Sequence, residues 1–433
     1  MDAVAGGPLA QRAVTELLAL SGQLLPSLRA WVAAEPECGV ARALLVLVTA
    51  DRLGDTELRD ELVVAHRHAQ AAGERQVSLV HGVFLFTHRQ YRLTAEHLTG
   101  HFARWPGDEV AGLLLGAFAQ CGEPGLRAHG DAVVEEQAAL AGPDSWAWAG
   151  WLAAARAERG RVREAHQLAE HALELCPRAG VAVHALAHAE HEWGVGRAGA
   201  TFLDTWLAGD PGAVQSRHLN WHAALHSLAC GDFTDVRRRA DTALDRSDVG
   251  MRAATNWRLL LAGQRPAGRN DLGQVRELIA APGGTAEIFH TFNLALALAV
   301  EAATDDLYAL AHRAAADPRA DFRDVLAPVV RALGEITAGR PRVAVDLLTG
   351  LGGDAVERIG GVRVEREIVQ DTLARALADA GEPGRAAALL RHRVAGRRHH
   401  AYEDLLSAPG GVGAAPGPFP PRSVGEAACP RTS

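Results

Sequence analysis

Apolar residues along this chain recur with the spacing of a helix. In 161–176, Ala165, Ala172 and Leu173 share one face, and Pro177 stops the run. The same periodicity predicts helices over 44–54, 60–72, 271–279, 289–303, 307–316, 320–333, 341–351, 365–380 and 382–394, many bounded by Gly, Pro or Asp. Another helical run opens at 145 with Ser-Trp-Ala-Trp-Ala-Gly-Trp-Leu and ends near Gly160. No segment alternates apolar and polar positions as a strand does, and β-branched residues are sparse. The pattern predicts an all-α protein.

The helices come in a repeated pair. Leu152, Gly160, Ala165, Ala172 and Pro177 stand where a tetratricopeptide unit carries its packing residues, turn and closing proline. Pro211 closes the next unit 34 positions on, the period of this repeat class, with Leu186, Ala187, Gly194 and Leu207 in register. Trp206 replaces the usual small residue there. A third unit, after a short insertion, carries Ala223, Ala224, Gly231, Ala243 and Leu244; upstream, Pro106 closes a weaker unit that contains Gly82. One such pair cannot bury its apolar face alone. The expectation is therefore a right-handed helix-pair solenoid with a concave groove. Four regions follow: an N-terminal helical region (1–74), tetratricopeptide-type repeats (75–250), degenerate helical repeats (251–407) and a Pro/Gly-rich tail (408–433) expected to be disordered.

Composition narrows the function. Of the 433 residues 48% are hydrophobic, largely alanine and leucine, and only 5% are aromatic, which suits closely approaching helices. All 44 basic residues are arginine, which excludes a Schiff-base lysine and a P-loop lysine. The net charge of −8 argues against a nucleic-acid partner. The densest basic run, at 391–393 and 397–400, ends the last helix, where the dipole favours positive charge. Cys38, Cys121, Cys176, Cys230 and Cys429 are odd in number and dispersed, as reduced thiols are. With no signal-like segment and no apolar run of spanning length, a cytoplasmic protein without a membrane partner is expected.

Two consecutive repeats carry an unusual set of imidazoles: His184, His188 and His191, then His218, His222 and His226. At about 100° per residue, each trio spans no more than roughly 80° of its helix. The first trio lies on the groove side, opposite Leu186, Ala187 and Gly194, and the second is placed there too. Imidazoles four apart on one face can chelate an ion, which makes His184, His188, His218 and His222 candidate ligands of a divalent transition metal. Glu190 or Glu192 could add a carboxylate, and Trp221 a flat apolar wall. A chain with 20 histidines also produces such pairs by chance. Metal site, histidine-lined binding groove and structural histidines all stay open. Gly194-Val-Gly196-Arg-Ala-Gly199 has the spacing of a dinucleotide loop but follows no strand, so that reading fails. There is no Gly-x-Ser-x-Gly, His-Glu-x-x-His or Cys-x-x-Cys.

Val183-His184 with Ala187-His188, followed by His218-x-x-Trp221-His222, resembles the central signature of the tetratricopeptide repeat protein 38 family. The Gly231-Asp-Phe turn, the closure Leu173-x-x-Cys-Pro177, Phe292-Asn293, and Gly360-Gly361 with Arg366 resemble further landmarks of that family. The resemblance spans about 40–400 and is specific in 145–235. It implies the repeat fold and adds Arg366 to the groove residues. Its biochemical role is not established, so it implies no reaction. The chain departs from the pattern at His191, where an acidic residue is usual, at Leu294 and Leu296 in place of Asp-x-His, and over 362–367. A peptide- or small-ligand-binding module using His184, His188, His191, His218, Trp221, His222, His226 and Arg366 is the favoured expectation. A metal-dependent enzyme using the same histidines is the alternative.

Overall fold

Alanine sets how the central helices meet. Trp146–Glu158 (α1), Val162–Leu175 (α2) and Gly180–Trp193 (α3) pack on one another through three small clusters stacked along their length. These are Ala149, Ala172, Ala179 and Ala182; Ala153, Ala169 and Ala185 with Leu186; and Ala157, Ala165 and Ala189. A methyl group at each crossing lets the backbones approach closely. Ala165 and Ala172, singled out by the repeat spacing, are wholly buried. Arg197–Gly209 (α4) and Ser216–Ala229 (α5) continue the pattern, for α3, α4 and α5 each touch the other two. The computed structural model describes residues 7–121, 123–244, 249–281 and 283–409, which form helices with no strand among them. No helix among these is long and apolar enough to cross a membrane.

Larger side chains build the two flanking cores. One runs from Ala10 through Trp31, Leu44 and Phe102 to Trp148; the other runs from Trp221 through Trp257 and Phe292 to Leu406. Both ends of the chain then return to the middle. The backbone N–H groups of Gly180 and Val214 donate to Ala19 and Leu20 carbonyls, each at 2.9 Å. From the other end come Arg363–Asp379 (α6), Pro383–Gly396 (α7) and Ala401–Ser407 (α8). Helix α7 packs on α3, and α8 on α5. The histidine-bearing helices are thus covered by the C-terminal ones.

That return explains the glycine motif. The N–H groups of Arg398 and His399 donate to Trp193 and Gly194 carbonyls at 2.8 and 3.1 Å. A Cβ on Gly194 would lie 2.8 Å from Arg397 Cβ, and one on Gly199 would lie 2.9 Å from the His226 ring. A Cβ on Gly196 would overlap Cys230 Sγ and lie 2.7 Å from the His399 ring. The three glycines make room for packing.

Most expected helices are present with shifted ends. The 44–54 expectation becomes Gly39–Thr49 followed by a 3₁₀ turn, and 60–72 becomes Asp55–Ala72. The 320–333 run is not one regular helix. A π turn, Phe322–Leu326, precedes Ala327–Thr337 because Pro328 has no N–H to donate one turn back. The tail from 410 onward, and Cys429 with it, lies outside the described residues.

Gly196→Ala should lower the free energy of unfolding by about 3 kcal/mol, combining a left-handed backbone with overpacking. Gly263→Ala, at φ +72° with nothing near its Cβ, should cost only about 1 kcal/mol. Urea unfolding of the two variants beside the parent measures the difference.

Candidate metal centre

Helices α3 and α5 bury Val183, Ala187, Leu219 and Ala223 in one small cluster with α4. This packing locks both helices in rotation, and the face beside it carries the histidines. His218 lies 34 positions after His184, and His222 stands in the same relation to His188. The pairs occupy different positions of their helices, fifth and ninth in α3 but third and seventh in α5, and meet side by side where the helices pack. The third members break this spacing: 34 positions after His191 stands Leu225, and 34 before His226 stands Glu192.

The four histidines converge. Nε2 of His184 lies 2.8 Å from Nε2 of His218 and 3.0 Å from Nε2 of His188, while His218 and His222 approach to 3.2 Å through the same atoms. One ring nitrogen from each of the four falls within 4.8 Å of all the others. Two ligands held 2.0–2.1 Å from one ion lie roughly 3.0–3.4 Å apart, which brackets two of these contacts and nearly reaches the third. His222 is fully buried, and His184, His188 and His218 are half-buried.

Protons alone satisfy this cluster poorly. A neutral imidazole nitrogen either donates or accepts. The line His188–His184–His218–His222 has three contacts, and alternating protonation supplies two Nε2–H groups for them. An ion among four unprotonated Nε2 atoms uses every lone pair. Burial pushes the pKa of His188 down to about 3 and of His218 to about 4, and neighbouring histidines add to the burial effect on His188. Burial, then the adjacent imidazoles, holds His184 and His222 well below the usual range. These rings are unprotonated at neutral pH, as metal ligands must be.

The remaining expected residues take other places. His191 Nε2 meets Glu367 at 3.2 Å and Arg397 at 2.9 Å. His226 is 1% exposed and lies 4.0 Å from Glu190, and neither His226 nitrogen has a hydrogen-bond partner among the described residues. Burial, aided by Glu170, pushes Glu190 up to about 7, whereas Glu192 pairs with Arg363 at 3.4 Å. Neither carboxylate reaches the four-histidine cluster. Trp221 packs beside two of the four, its ring centroid 5.4 and 5.0 Å from those of His218 and His222. Arg366 makes no hydrogen bond or ion pair with the six histidines among the described residues and binds Glu158 at 2.6 Å. It lines a cavity of about 650 Å³ with Arg127, Glu158 and Glu367.

Two arginines of the C-terminal basic run are not a solvated dipole partner. Arg393 bonds Asp371 at 2.5 Å, and Arg397 bonds Glu403 and Glu367, the latter at 2.9 Å, with all these side chains nearly buried. Burial would raise Glu367, but Arg393 and Arg397 hold it well below the usual carboxylate range. Glu367, Arg397 and Glu403 carried no signal along the chain, because each looks like an ordinary charged helix position until α6, α7 and α8 return. Among known proteins, the chain matches no family model and no curated relative. The site is read from its geometry.

Stability of the metal-free protein should fall with acid. Unfolded histidines titrate near 6.5, so below that pH the unfolded chain binds protons that His188, His218 and His226 (pushed down to about 3 by burial) refuse when folded. Together they remove roughly 4 kcal/mol between pH 7.5 and 5.5. Glu190 and Glu365 work oppositely, since burial pushes both up to about 7 and this costs stability as pH rises from 4.5 through 7. Their neutralisation restores about 4 kcal/mol over the same interval. These contributions offset one another, and His184 and His222, also held well below the usual range, tip the balance. Urea unfolding of chelator-treated protein should therefore show a net loss of stability at the lower pH.

Proposed function

We propose that this chain is a metalloprotein of tetratricopeptide type, related to the tetratricopeptide repeat protein 38 family. Its helix pairs are read as a right-handed solenoid whose inner face holds one divalent transition-metal ion. His184, His188, His218 and His222 are the ligands. The observation that carries this reading is the approach of four Nε2 atoms from two consecutive repeats. The half-buried enclosure favours the metal-dependent alternative over an open peptide groove, because convergent nitrogens leave no extended lining for a backbone.

Four imidazoles are neutral ligands, so a divalent ion keeps its full charge. Such an ion attracts a hydroxide, carboxylate or phosphate oxygen and acidifies a bound water. Three of the four rings are partly open to solvent, which suits an ion that exchanges ligands better than a sealed structural one. We read the centre as catalytic in kind, acting on a small molecule. The arginine-lined cavity of about 650 Å³ beside Glu367, large enough for such a molecule, supports a small-ligand partner.

Purified tag-free protein should carry about one equivalent of a transition metal by mass spectrometry. His184→Ala/His222→Ala should lose it while far-ultraviolet circular dichroism keeps the helical signal. A free ion at a hundred times its dissociation constant should stabilise the folded chain by about 2.7 kcal/mol, read as a lower melting temperature after chelation. Wild-type protein that stays metal-free after incubation with zinc, iron(II), cobalt(II) and manganese(II) would remove the reading.

A further inference from the structure

On helices other than those of the four histidines, three polar side chains of the N-terminal half form a line. Ser78 lies in the helix Glu74–Thr87, His101 in Tyr91–Arg104, and Asp108 caps Glu109–Gly112 by accepting from Val110 and Ala111 N–H groups. Ser78 Oγ is 2.8 Å from Nδ1 of His101, and Nε2 of His101 is 3.1 Å from Oδ2 of Asp108. Arg75 Nε donates to the same Oδ2 at 2.8 Å. His101 and Asp108 are 2% and 5% exposed, whereas Ser78 is half-buried and the neighbouring His81 is exposed.

Hydrogen bonding fixes the direction of this line. Nε2 of His97 is 2.9 Å from the Ser78 carbonyl oxygen, which only accepts, so that nitrogen carries a hydrogen. It also lies 3.1 Å from Ser78 Oγ and offers the hydroxyl no acceptor. The acceptor left for the Ser78 hydroxyl is Nδ1 of His101. With Nδ1 unprotonated, neutral His101 carries its hydrogen on Nε2 and donates it to Asp108. Burial would raise the Asp108 carboxyl, but His101 and Arg75 bring it below its ordinary value, so the acceptor is ionised. The arrangement has the polarity of a serine with its general base and a carboxylate behind the base, with the two ring nitrogens exchanged relative to the usual order.

We propose that Ser78 is a nucleophile activated by His101, with Asp108 as positioning residue, and that the site takes small uncharged carboxylic esters from solvent. Ser78 Oγ adds to the ester carbonyl carbon while its proton passes to Nδ1 of His101 and the carbonyl π pair moves onto oxygen. Return of that pair expels the alcohol, which leaves with the proton from Nδ1, and Ser78 is acylated. Water then adds to the acyl carbon and gives its proton to Nδ1. Ser78 Oγ leaves, recovers that proton, and the acid is released.

The test is labelling of the full chain by a fluorophosphonate probe, with the adduct located by mass spectrometry and hydrolysis of p-nitrophenyl acetate followed in parallel. Wild-type protein should be labelled at Ser78, and Ser78→Ala should lose both adduct and hydrolysis at unchanged helicity. His101→Ala retains the hydroxyl yet should slow labelling by roughly 100-fold or more. Asp108→Asn should move the pH midpoint of labelling downward, because the imidazolium loses its counter-charge, a change that a merely structural carboxylate would not produce. Labelling should survive metal chelation, which separates this site from the four-histidine centre. A folded wild-type protein with no Ser78 adduct, or an adduct whose rate ignores His101→Ala, overturns the proposal.

Discussion

The burial of Arg397 is the constraint on which the central architecture rests. Its guanidinium bonds Glu403, Glu367 and Nε2 of His191, thereby joining α8, α6 and α3 at one point. A buried cation without partners is strongly unfavourable, and removing one member of such a cluster typically costs about 3–5 kcal/mol. The three helices can therefore keep this arginine buried only in one mutual arrangement. That arrangement covers the helices that carry the histidines. It also places a layer of paired charge beside the neutral histidines, keeping Glu367 on Arg397 rather than free to approach the cluster.

The four histidines follow from a constraint of another kind. Two imidazoles one turn apart on each of two packed helices become four where the helices meet. His184 and His188 on α3 face His218 and His222 on α5, and their Nε2 atoms meet. His191 and His226 lack counterparts and fall into the charged layer or beside Glu190 instead. Burial of the four without carboxylates keeps them unprotonated and leaves any bound cation with its charge undiminished. Such a centre is suited to an anionic oxygen ligand.

Close packing enters where polar chemistry does not. The Gly194, Gly196 and Gly199 spacing resembles a phosphate-binding loop, yet each glycine faces a neighbour that a Cβ would strike. The motif belongs to the same closure as Arg397, since His399 and Arg397 are among those neighbours. Ser78, His101 and Asp108 owe their meeting to a simpler event, the antiparallel packing of Glu74–Thr87 on Tyr91–Arg104 and the cap that follows.

Read along the chain, alanine spacing, closing prolines and the absence of strand alternation determined the helical class and most helix positions, because these depend on contacts within a few turns. The pairing of His184 with His188, and of His218 with His222, was legible for the same reason: residues four apart on a helix share a face. Tertiary structure alone decided that the two pairs point at one another, that His191 and His226 do not join them, and that Arg366 stands elsewhere. It alone brought Glu367 to His191 across 176 positions and Arg397 to His191 across 206. Ser78 and His101 were unreadable too, for their 23-residue separation is no motif until two helices are laid together. A charge on a solvated helix face and one in a buried cluster have the same local sequence, and only the packing of distant helices tells them apart.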